Sequence, residues 1–199
     1  MNLLIQFKTT PPLLITLALF CLGLLPKAQA FSPPPPGGYP NFTTAAGTSA
    51  LNGPTTVQGN TAVGWFSLWG NAAGSFNTAT GAGTLLFNTA DENTAFGAVA
   101  LLNNTTGVNN TATGAFAVFS NAQASYNTAA GDHALFSNNT GQFNTANGVS
   151  ALGNNTTGSS NTADGSSALV NNTTGSNNII LGQNAGSGAN NQNEVACTS

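Results

Sequence analysis

The sequence predicts an all-β fold, a parallel β-solenoid or β-roll of about nine 17-residue coils that follows a cleaved signal peptide. Three observations carry this expectation. The first is a recurring N-T-A-x-G, which begins at Asn60, Asn77, Asn93, Asn110, Asn127, Asn144 and Asn161. A variant with Thr43 in the Asn place precedes them, and N-I-I-L-G starts at Asn178. The second is the spacing, 17 residues throughout except for a single 16 in the segment ending Asp91-Glu92. The third is the chemistry of the unit. Asn, Thr and Gly are poor helix formers, and the period is too short for a helix–turn–helix repeat. It does suit one coil with two short strands and two turns, stacked ~4.8 Å from the next.

The unit reads N-T-A-x-G-x-x-A-L-x-x-N-T-T-G-x-x, and stacking aligns each place into a file. The fifth place is Gly47, Gly64, Gly81, Gly97, Gly114, Gly131, Gly148, Gly165 and Gly182. Invariant Gly is expected where the chain bends with φ > 0 or where backbones approach closely. The twelfth place is Asn71, Asn88, Asn104, Asn121, Asn138, Asn155 and Asn172, a file able to form an amide ladder from coil to coil. The third place, Ala45 to Ala163, and the ninth, with Leu51, Leu68, Leu85, Leu101, Val118, Leu135, Leu152 and Leu169, are the expected interior. N-N-T-T-G is a turn signal, with Asn bonding its own backbone and Gly taking the left-handed position.

The array occupies residues 43–182. Before it, residues 1–30 read as a secretory signal: Lys8 near the start, the apolar run Leu13 to Leu25, and a small-x-small cleavage site at Ala28-Gln29-Ala30. The apolar run falls short of the ~20 residues that span a bilayer, so no transmembrane segment is expected in the mature chain. Residues 31–42, with the proline run of FSPPPPGGY, read as a stiff Pro/Gly linker. Residues 183–199 lose the period and read as an irregular tail that fits a truncated end. One cysteine, Cys197, remains after cleavage, so no intramolecular disulfide is expected.

Charge excludes several functions. The cations are Lys8 and Lys27, both inside the signal, and the remaining ionisable side chains are Asp91, Glu92, Asp132, Asp164, Glu194 and His133, with Tyr and Cys. A mature chain without Lys or Arg cannot neutralise phosphates, which excludes nucleic acid as a partner and electrostatic docking to an anionic membrane. Catalysis has no foothold either. Solenoid polysaccharide hydrolases need clustered carboxylates with a cation or metal, and the adjacent acids Asp91-Glu92 have no cation beside them. Asp132-His133 is the one acid–imidazole pair. As neighbours near a strand they are expected to point to opposite faces. No catalytic, cofactor or metal site is expected.

One Leu and two Ala per coil make a thin interior. Added burial could come from Trp65, Phe66, Trp69, Phe76, Phe87, Phe96, Phe116, Phe119, Tyr126, Phe136 and Phe143. These are either a side face of the core or a surface that packs on other copies, and a homo-oligomer is expected.

The N-T-A-x-G-x-x-A-L and N-N-T-T-G units resemble the head-type repeats of bacterial trimeric autotransporter adhesins. They resemble still more the longer-period bacterial surface arrays that precede tailspike-type chaperone domains. Asn177-Asn178-Ile179-Ile180-Leu181-Gly182 is similar to the N-N-I-x-I-G unit that closes such arrays. The resemblance implies a secreted or cell-surface β-roll, a homotrimer, acting as an adhesin or structural spacer in surface attachment. Its surface, matrix or glycan ligand is unspecified, and outer-membrane association would rest on an anchor outside this sequence. Two alternatives stay open. One is a glycan-binding module. The other is an ice-binding solenoid using the second-place file of Thr44, Thr61, Thr78, Thr94, Thr111, Thr128, Thr145 and Thr162.

Overall fold

A computed structural model describes residues 41–52, 57–188 and 195–197. The expected signal peptide at residues 1–30, most of the expected linker and part of the tail lie outside the described residues. The fold is an all-β parallel solenoid. Its strands are Thr44–Ala46 (β1), Thr61–Val63 (β2), Thr78–Thr80 (β3), Thr94–Phe96 (β4), Thr111–Thr113 (β5), Thr128–Ala130 (β6), Thr145–Asn147 (β7), Thr162–Asp164 (β8), Ile179–Leu181 (β9) and Val195–Cys197 (β10). They form one parallel sheet in chain order. Like pairs with like: Ala112 lies opposite Ala129, and Ala129 opposite Ala146. The shortened coil keeps this register, with Ala79 opposite Ala95. Beyond the last periodic unit the sheet continues, with Val195 opposite Ile179. No helix among the described residues is long and apolar enough to cross a membrane.

Each coil has one strand of three residues rather than the two expected. The reason lies at the eighth and ninth places, where Ala134 and Leu135, for example, are both fully buried. A strand sends neighbouring side chains to opposite faces, so two consecutive inward residues need a turn. The chain makes it with left-handed residues: the seventh place has His133 at φ 55°, and the ninth-place Leu and Val residues have φ between 46° and 52°. Such a backbone is uncommon for a bulky side chain and costs roughly 1–3 kcal/mol per residue. Hydrogen bonding to both neighbours holds it. The Leu135 N–H donates to Ala151 O in the following coil at 3.0 Å, and the His133 N–H donates to Ala115 O in the preceding one at 3.0 Å. Two turns close within the coil, from the Ala134 N–H to Gly131 O and from the Asn138 N–H to Leu135 O.

The fifth-place file bends as the sequence predicts, with φ from 118° to 145°. Close approach adds a second reason for glycine. A Cβ on Gly131 would stand 2.4 Å from Gly148 O.

The interior combines three apolar places per coil with two amide places. Third-place Ala, eighth-place Ala and ninth-place Leu or Val form a continuous apolar column. Beside it run two files of Asn, both buried. The twelfth-place file makes the expected ladder. Asn121 Nδ2 donates to Asn104 Oδ1 at 2.6 Å, and Asn155 Nδ2 to Asn138 Oδ1 at 2.8 Å. The first-place file, whose burial the sequence analysis missed, makes a second. There the Asn127 backbone N–H donates to Asn110 Oδ1, and that of Asn144 to Asn127 Oδ1. Within a coil the two amides converge on one carbonyl: Asn127 and Asn138 both donate to Gly141 O, at 3.0 and 2.9 Å. This scheme satisfies nearly every buried side-chain polar atom. Among the described residues, Asn172 Oδ1 at the end of the ladder is the exception.

Asn138→Leu tests the ladder without opening a cavity. It strands Asn121 Oδ1, which accepts from Asn138 at 3.4 Å, and should cost about 1–3 kcal/mol. A thermal melt reads the loss, and an unchanged melting temperature would show that the ladder contributes nothing.

Candidate functional site

The invariant places are consumed by stacking. Gly, both Asn files, Ala and Leu all point inward or into the bends, so any contact surface is built from the variable places and the outward second-place Thr file. Strand places two and four face outward around an inward Ala. Outward Thr occurs at both in Thr78–Thr80 and Thr111–Thr113. Elsewhere the fourth place is Ala46, Val63, Phe96, Ala130, Asn147 or Asp164, so the Thr file has no regular companion.

The aromatic residues settle on the outside, not as a side face of the core. Trp65 is 60% exposed, Phe76 59% and Phe143 57%. They gather into columns because the period repeats each place above itself. Seventh and tenth places give one column, Phe116 and Phe119 followed by His133 and Phe136, and a separate pair, Phe66 beside Trp69, beyond Gly83, Leu86, Val99 and Leu102. Phe119 and Phe136 are parallel, with centroids 5.2 Å apart. The place before each N-T-A-x-G gives another, where Tyr126 stacks on Phe143 at 5.1 Å.

Asp132 and His133 do not point to opposite faces. Nδ1 of His133 lies 2.5 Å from Asp132 Oδ1, because these residues occupy the left-handed turn and not a strand. His133 also stacks on Phe116, with centroids 4.9 Å apart. Asp91 serves the shortened turn, where its Oδ1 accepts the Ser75 N–H at 2.7 Å. Among the described residues no three of His, Cys, Asp and Glu gather as metal ligands would.

Comparison with known proteins returns no match to any protein-family model, curated protein or solved structure. Function therefore has to be read from the surface itself. Sequence reasoning found the aromatic residues but not their stacking partners. It also missed the Asp132–His133 contact, for which the local signal was that their places fall beyond the Gly bend and outside the strand.

Proposed function

We propose that the chain is a non-catalytic, exported repeat protein that acts at or beyond the cell surface, as an adhesin-like module or spacer in surface attachment. One observation carries the reading. The repeated Gly, Asn, Ala and Leu places are spent on coil-to-coil stacking, the second-place Thr file faces outward, and the remaining outward places vary and concentrate exposed aromatic rings. Nine coils at ~4.8 Å give a rod about 40 Å long, a shape suited to holding contact surfaces away from an anchor. Exposed rings away from the Phe136 column, such as Trp65, Phe76, Tyr126 and Phe143, offer the contacts through which copies associate, as a trimer if the resemblance to adhesin heads extends to assembly.

Expression of the full chain in a bacterial host tests this reading. The expected product is exported, begins at Phe31 by N-terminal sequencing, and scatters light as more than a monomer. An unprocessed chain retained in the cytosol would overturn export. A monomer at every concentration would overturn association.

A further inference from the structure

The aromatic column of places seven and ten ends abruptly. Phe136 is stacked on Phe119 on one side, but the next coil offers Gly153 at the same place, and the coil after that Val170. A missing side chain in a stacked column leaves a slot. It is an open notch of about 130 Å³ lined by His133, Phe136, Ser150, Gly153, Asn154 and Val170.

The spacing of the slot is set by the fold. Phe136 and Val170 are two coils apart, ~9.6 Å at the usual strand separation. A flat ring in van der Waals contact on both faces needs roughly 7–8 Å between its neighbours, so one ring fits where Gly153 leaves room. The lining of the slot combines the apolar Phe136 and Val170 with the polar Ser150, Asn154 and His133, the last of them held by Asp132. An apolar slot with a few placed polar groups is the usual make-up of a small-ligand site.

We propose that this notch binds the ring of a neutral pyranose. A sugar ring presents an apolar C–H face to the phenyl group and a rim of hydroxyls to the polar residues. An aromatic side chain from a second copy would leave those polar residues unused. Acidic sugars are disfavoured, since Asp132 is half-exposed beside the notch and no Lys or Arg follows Lys27. The site deepens the attachment reading by naming a ligand class, and its test is independent of where the protein resides.

The experiment is saturation-transfer NMR on the full chain as its host delivers it, with methyl pyranosides of glucose, galactose, mannose and N-acetylglucosamine as probes, and indole as the aromatic control. Transfer from the protein to the ring C–H protons of at least one pyranoside is expected, together with perturbed Phe136 ring signals. Gly153→Leu supplies the side chain that Leu86 and Leu102 provide in other coils. It should fill the slot and weaken binding at least about tenfold with only a small change in melting temperature, the added Cβ meeting nothing closer than Ser150 O at 3.1 Å. Phe136→Ala should also abolish transfer. No transfer to any pyranoside, undiminished transfer in Gly153→Leu, or transfer to indole alone would each overturn the proposal.

Discussion

Gly131→Val should unfold the coils on either side of it. At φ 145° the backbone of Gly131 lies where a β-branched residue is a steric outlier. The space is closed as well. An added Cβ would meet Gly148 O at 2.4 Å, Gly148 C at 2.5 Å and Val149 N at 3.0 Å. All three are backbone atoms of the next coil, so no side chain can swing aside. Relief requires the two coils to separate, breaking the bonds from the Thr128 N–H to Asn144 O and from the Leu135 N–H to Ala151 O. A loss above about 4 kcal/mol is expected, with new proteolytic cleavage between residues 127 and 160. Gly153, which is not in the left-handed region, supplies the contrast through Gly153→Leu. A Gly131→Val protein with an unchanged melt and protease pattern would refute the close-approach account.

Leu135→Asp should be comparably severe for a different reason. Leu135 is fully buried between Val118 and Leu152 in the apolar file. A carboxylate there finds no partner, because the Asn amides beside it are committed to Gly141 O and to one another, and no Lys or Arg follows Lys27 in the chain. Burying an unpaired charge costs several kcal/mol, and the protonated carboxyl that would replace it is still a polar group without a hydrogen-bond partner. Leu135→Val is the matched control, since Val118 already occupies the same place one coil earlier, and it should cost only about 1 kcal/mol. Thermal melts of the two variants decide the matter. If the Asp variant melts with the Val variant, the proposed inside and outside of the coil are reversed.

The sequence by itself determined the architecture, because a period is a statement about stacking. Identical residues every 17 positions can be brought into register only by coils of one repeat each. The Gly file then marks the bends, and the Ala and Leu files mark the interior. Asn138 and its equivalents were legible as a ladder for the same reason. The tertiary structure decided what periodicity cannot express. It turned the second expected strand into a left-handed turn, because burying Ala134 and Leu135 together is incompatible with the alternation of a strand. That turn brought His133 against Asp132 and onto Phe116, a contact hidden from any argument that treats them as strand neighbours. It also buried the first-place Asn file, since convergence of two amides on the Gly141 carbonyl depends on the path of the whole coil. The notch beside Phe136 belongs to the same class. Gly153 is one unremarkable variable residue in the sequence, and it becomes a gap only when stacking sets it between Phe136 and Val170.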